Sequence, residues 1–494
     1  MNYFSTRAGL AGKPHTAAEV IKQGLAEDGG LFLPEAIPQL GTAELETLLP
    51  LGYPERAAKI LSLFLTDYTE AELLSCAREA YTETFDGYAA PVAGFLGDDI
   101  RVLELWHGPT CAFKDMALQI MPRLLSLALK KTGEKRTALI LVATSGDTGK
   151  AALEGYKDVE QVKICVFYPE DGVSDMQKRQ MATQEGENVK VVAIKGNFDD
   201  AQTGVKQIFA DPAVVKALDE NGQFLSSANS INWGRLAPQI VYYISAYLDL
   251  VKEGDIKLGE KVDVTVPTGN FGNIFAAYIA KRMGLPAEKL ICASNTNNIL
   301  TDFLTTGVYD RNRPFHTTMS PSMDILISSN LERLLSVIAG PEKCAAYMKS
   351  LKETGRYEVE PAVLDAIKET FAAYYCDEAH CAETIRASFD RYSYLIDPHT
   401  AVAVYAARRF LEDEKPGRRN IVASTANAYK FARDVYACLG KSADGMDDKQ
   451  VQEALAAYTK TDVPAPLAAL FAKPVRFTES VAKDKDSMQK TIWF

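Results

Sequence analysis

The chain has 494 residues, more than one compact core holds, so two or three domains are expected. Its hydrophobic share of 47% and charged share of 24% are those of an ordinary soluble globular protein, and a net charge of −11 with no basic run to overcome it excludes a nucleic-acid surface. Any phosphate bound by such a chain must be held by positioned donors, because the overall field repels it.

The first ninety or so residues read mainly as helices, with Gly- and Pro-rich loops around DGGLFLPEAIP. The opening MNYFSTRAGLAGKPHTAAEV has no apolar core followed by small residues, so no signal peptide is expected. From about residue 100, short β-branched runs alternate with Gly-containing turns and amphipathic helices. RVLEL (101–105) reads as a strand and MALQIMPRLLSLALK (116–130) as a helix. TALILVA (137–143) reads as a strand, followed by the turn TSGDTG and a helix from Lys150. VKICVFY (162–168) precedes a polar helix at 174–185, and NVKVVAI (188–194) precedes one near 199–210. KVDVTVP (261–267) runs through TGNFGN into the helix IFAAYIAKRMG. LICAS (290–294) and NIVAST (420–425) complete the strands, while Val363, Ile367, Phe371 and Tyr374 have the spacing of an amphipathic helix. Strands alternating with helices predict an α/β fold of parallel sheets covered on both faces, with ligands at the carboxyl ends of the strands. No apolar stretch is long enough to span a bilayer. Eight scattered cysteines without a CxxC pair suit a reducing cytoplasm. Nothing in the sequence points to an obligate protein partner.

Four turns carry the chemistry. His107 to Asp115 reads HGPTCAFKD, and its Lys114 follows apolar Ala112 and Phe113. A solvated lysine keeps its proton; only a desolvated one loses it readily enough to form an imine. Thr144 to Lys150 reads TSGDTGK, where small hydroxyl residues and exposed N–H groups suit a carboxylate or phosphate as well as a capped helix start. Asn229-Ser230-Ile231-Asn232-Trp233-Gly234-Arg235 offers amides, a hydroxyl and a guanidinium suited to bidentate phosphate contact, or else a polar loop over a core Trp. Gly269-Asn270-Phe271-Gly272-Asn273 follows a strand and opens a helix, which makes either a phosphate cradle or a tight turn. Cys376, His380 and Cys381 are a tempting metal set, but no second ligand pair follows at zinc-site spacing, so no metal is expected.

HGPTCAFKD, ATSGDTG and PTGNFGN in that order, with GLAEDGGLFLPE (24–35) and DPHTAVA (397–403), resemble the threonine synthases of the longer, bacterial and fungal type. The resemblance covers nearly the whole chain and implies the pyridoxal-phosphate fold shared with the tryptophan synthase β chain. Two parallel-sheet α/β lobes and an N-terminal, mostly helical domain are then expected. The implied division is 1–95, then a catalytic region at 96–440 with a smaller lobe inserted at about 140–240, then a C-terminal helical extension at 441–494. The resemblance implies that Lys114 carries the cofactor and acts as the base, and that Gly269, Asn270, Phe271, Gly272 and Asn273 hold the cofactor phosphate. It further implies that Thr425 meets the pyridine nitrogen and that Ser145, Asp147 and Thr148 surround the substrate carboxylate and the cofactor's phenolic oxygen. Asn229, Ser230 and Arg235 resemble the grip on a substrate phosphate. Trp106 and Cys111 stand where the family more often has Phe and Leu, and STANAYKF (424–431) lacks the His-Pro that many members carry after Thr-Ala. The implied reaction turns O-phospho-L-homoserine and water into L-threonine and phosphate, in the cytoplasm. One alternative is a lyase taking the same substrate to 2-oxobutyrate; another is a catalytically dead homologue kept for ligand binding.

Overall fold

The computed structural model describes residues 1–85, 89–97, 99–144, 146–170 and 173–494. Its larger sheet has six strands in the order Phe371–Tyr375, Ala287–Ser294, Val262–Pro267, Asn420–Ser424, Ile100–Glu104 and Val92–Phe95. All neighbours are parallel except the edge strand Val92–Phe95, which runs antiparallel to Ile100–Glu104. The smaller sheet orders Ser480–Ala482, Val189–Lys195, Val162–Pro169, Thr137–Ala143 and Gln223–Ser226, all parallel. Strand Val262–Pro267 is buried at every position, as a strand covered on both faces must be.

Before residue 82 the chain forms the helices Ala17–Gln23, Thr42–Leu48, Tyr53–Ser62 and Glu70–Tyr81. A two-stranded antiparallel ribbon, Tyr3–Ser5 with Phe32–Pro34, joins them and was not foreseen. The helix Trp233–Glu253 is buried nearly all round and packs on Gly272–Met283. It was not expected from the sequence, where Pro238 inside it reads as a helix end.

Three expected elements differ. The helix predicted at 116–130 is two, Asp115–Leu118 and Met121–Lys131, with Pro122 in the first turn of the second. The amphipathic helix ends at Thr370, and Phe371 and Tyr374 lie in a strand beside Ala287–Ser294. FAAYY fits either period, and pairing with a buried parallel strand decides it. The stretch 441–494 contains the helices Asp448–Thr459 and Lys485–Gln489, but also Ser480–Ala482, the edge strand of the smaller sheet.

Candidate active site

The loop carrying Lys114 joins strand Ile100–Glu104 to helix Asp115–Leu118, and it is closed by its own residues. Fully buried Asp115 accepts from the Thr110 N–H at 2.8 Å and the Thr110 hydroxyl at 2.7 Å. Burial pushes its carboxyl up to about 6 against the pull of those bonds. Gly108 has no room for a side chain, since a Cβ there would lie 2.6 Å from Asp115. Phe113 N–H donates to Thr425 O at 2.8 Å, which ties the lysine to the carboxyl end of strand Asn420–Ser424.

Lys114 is 8% exposed, with Nζ 3.3 Å from Ser322 Oγ, 3.7 Å from Asp147 Oδ2 and over the Phe113 ring. Desolvation lowers its pKa from 10.5 to about 8; Asp147 opposes the shift, and the charges of Arg235 and Lys430 assist it. Near neutrality it therefore offers far more free amine than a solvated lysine does. Asp147 begins the helix Asp147–Tyr156 and receives Lys430 Nζ at 2.8 Å and Gln177 Nε2 at 3.0 Å. Burial pushes its carboxyl up, but the cations of Lys430 and Lys114 outweigh that and hold it far below the usual carboxylate range.

The turn Gly269–Asn273 leads into helix Gly272–Met283, with Phe271 in the left-handed region at φ 62°. Among the described residues, none of the five backbone N–H groups from 269 to 273 has an acceptor. The loop's carbonyls are pinned instead: Ser328 Oγ donates to Gly269 O at 2.7 Å, and Asn330 N and Nδ2 both donate to Asn270 O at 3.0 Å. Asn273 Oδ1 accepts from Tyr242 at 2.6 Å and also from Tyr243, while its Nδ2 is buried without a partner. Consecutive unspent donors at a helix start are an anion cradle.

Arg235 supplies a second one. It lies on the first turn of Trp233–Glu253, 4% exposed, and donates Nη1 to Ala228 O at 2.9 Å. Among the described residues no carboxylate pairs with it, and burial lowers its pKa from 12.5 to about 10. Arg333, fully buried, braces the preceding loop by donating to the carbonyls of Phe32, Ser230 and Ile231.

Lys114, Asp147, Thr148, Asn229, Ser230, Arg235, Gly269 to Asn273 and Thr425 line one cavity of about 280 Å³. Ser145 lies outside the described residues. Ser322, His399, Gln239 and Lys206 line the same cavity and were not assigned from sequence. Only DPHTAVA pointed toward one of them. Lys150 is elsewhere, paired with Glu154 at 2.8 Å. Cys376 and Cys381 are buried, each donating Sγ to a backbone carbonyl, whereas His380 is exposed on Asp377.

A family model for pyridoxal-phosphate dependent enzymes matches residues 88–425; models for the threonine synthase N terminus and C-terminal region match 2–81 and 400–492. The threonine synthase of Pseudomonas aeruginosa is 40% identical over 83% of this chain and 84% of its own. The chain belongs to the threonine synthase family. A pyridoxal-phosphate-bound threonine synthase from Brucella melitensis superimposes with a TM-score of 0.87 at 36% identity, over 100% of this chain and 98% of that one. The yeast threonine synthase gives 0.88 at 34%, over 99% and 97%. Human threonine synthase-like 1 is 43% identical over 84% of this chain, which spans only 57% of that protein's length. Pyridoxal phosphate is the cofactor of the family, and the cavity's donors fit it. Five unspent amides and the orphan Asn273 Nδ2 suit its phosphate, and a desolvated lysine suits its aldehyde.

Proposed function

We propose that this chain is a threonine synthase, converting O-phospho-L-homoserine and water to L-threonine and phosphate as the last step of threonine biosynthesis. The observation that carries this reading is two separate anion sites flanking one lysine of lowered pKa. One is the amide run Gly269–Asn273; the other is the buried Arg235, which pairs with no carboxylate among the described residues.

Lys114 would carry the cofactor, the amides of Gly269 to Asn273 would hold its phosphate, and Asp147 would stand beside the lysine. Thr425 would meet the ring nitrogen with a hydroxyl, which does not hold a proton there as a carboxylate would. When bound, pyridoxal phosphate supplies the sink for negative charge developing at the substrate's Cα and Cβ. Ser145 and Thr148 orient the substrate carboxylate. Asn229, Ser230 and Arg235 grip the phosphate and hold its bond to Cγ in line for departure. Once released by the substrate amine, Lys114 removes protons at Cα and Cβ; phosphate leaves from Cγ, which takes up a proton. Water then adds at Cβ, and Lys114 returns the proton to Cα.

The same proposal takes 1–95 as the N-terminal domain and 96–440 as the catalytic region, its smaller lobe at about 140–240, followed by 441–494. It also takes the cytoplasm as location, without an obligate partner. Among the described residues no helix is long and apolar enough to cross a membrane, and the eight cysteines are buried. The test is to supply the purified protein with pyridoxal phosphate and O-phospho-L-homoserine and to assay threonine, phosphate and 2-oxobutyrate. Equal amounts of threonine and phosphate are expected. Keto acid in place of threonine would make the chain a lyase, and a colourless, inert protein would make it a dead relative.

A further inference from the structure

DPHTAVA opens the helix Pro398–Glu414, and what it holds is distant in sequence. Asp397, fully buried, accepts from the N–H groups of His399 and Thr400, each at 3.0 Å, from the Thr400 hydroxyl, and from His399 Nδ1 at 2.7 Å. The other ring nitrogen, Nε2, lies 3.1 Å from Ser322 N. A backbone amide can only donate, so Nε2 carries the lone pair and Nδ1 the proton given to Asp397. The imidazole is fixed as one neutral tautomer, its ring 5.0 Å from that of Phe431.

His399 thereby pins the short turn Pro321–Met323. On one side of it Ser322 Oγ accepts from Lys114 Nζ at 3.3 Å. On the other, Ser322 O sits so close to Gly269 that a Cβ there would be 2.8 Å away. The turn is wedged between the lysine and the first glycine of the amide run.

We propose that Ser322 is a further active-site residue, whose hydroxyl orients the Lys114 amine whenever that amine is free, and that His399 and Asp397 are the positioning pair that holds Ser322 there. This rests on Lys114 being the cofactor lysine. A free lysine side chain spreads over many rotamers, and proton transfer at two adjacent carbons needs its nitrogen within hydrogen-bond reach of each.

The test uses the full chain stripped of coenzyme. Pyridoxal phosphate is added, its attachment is followed by absorbance, and steady-state turnover is measured beside it. A native chain that attaches no coenzyme would overturn the assignment of Lys114, and this inference with it. With the native chain reacting, Ser322→Ala is expected to slow both attachment and kcat about tenfold, leaving KM and near-UV circular dichroism unchanged. His399→Leu is expected to match that loss, and His399→Gln, whose amide oxygen can accept from Ser322 N–H, to recover most of it. The double variant Ser322→Ala, His399→Leu is expected to lose no more than the worse single one. Unchanged rates in Ser322→Ala, or losses that multiply in the double variant, would overturn the role of Ser322 alone.

Discussion

Replacing Arg235 with methionine keeps most of the apolar stem and removes the cation. In the ligand-free protein two effects oppose each other. The charge-assisted bond to Ala228 O is lost, at a cost of about 1.5–3 kcal/mol. Against this, the charge no longer has to be buried without a carboxylate, and a pKa lowered from 12.5 to about 10 corresponds to about 3 kcal/mol. Stability should therefore hold or rise slightly. With phosphorylated substrate the balance reverses, because a charge-assisted contact worth about 1.5–3 kcal/mol disappears and affinity should fall by about one to two powers of ten. Turnover should fall too, since an ungripped phosphate loses its alignment. The assay pairs a thermal melt of the ligand-free protein with a spectral titration of the holoenzyme by O-phospho-L-homoserine. Coenzyme content should be unchanged. A lower Tm with undiminished affinity would show a structural arginine and refute the argument.

Borohydride should fix the coenzyme on Lys114, and Lys114→Ala should abolish turnover in a folded protein; label on another lysine, read by peptide mapping, would contradict the assignment. Coenzyme attachment to the stripped native chain should rise with pH to a midpoint near the Lys114 pKa of about 8. In Asp147→Asn the carboxylate that supports the ammonium from 3.7 Å is gone, so that midpoint should move to lower pH. A midpoint moving upward would show the sign to be wrong. Chelators should leave activity unchanged, and a stoichiometric metal lost together with activity would argue otherwise.

The seven inner strands of the two sheets were legible because β-branched runs between glycine turns admit few other readings; the four edge strands, Val92–Phe95, Gln223–Ser226, Phe371–Tyr375 and Ser480–Ala482, were not, being short and paired on one side only. The place of GNFGN was legible for a related reason, since it follows a strand and opens a helix, but its residues alone left a cradle and a tight turn equally open. The long helix from Trp233 was hidden because Pro238 in its second turn reads as a break rather than as helix interior. Ser322 was hidden for a different reason. The segment TTMSPSMD has no pattern of its own, and its position depends on His399, 77 residues later. Arg333 and Asn330 likewise brace both anion loops through backbone carbonyls, a job that any buried donor of the right reach could do and that leaves no motif.

Strand Ser480–Ala482 pairs in parallel with Val189–Lys195, which is synthesised long before it. As the chain leaves the ribosome, the other four strands of the smaller sheet are available early, yet one flank of Val189–Lys195 stays bare until residue 482 has emerged. An open strand edge is a template for pairing with a neighbouring chain. The helix Lys485–Gln489 arrives with the late strand, and the sulfur of its Met488 sits where a side chain on Gly204 would begin, closing over helix Phe198–Ala210. Nascent chains on a crowded polysome are thus exposed to one another along this flank for most of their synthesis, and the segment that protects it is among the last to be made.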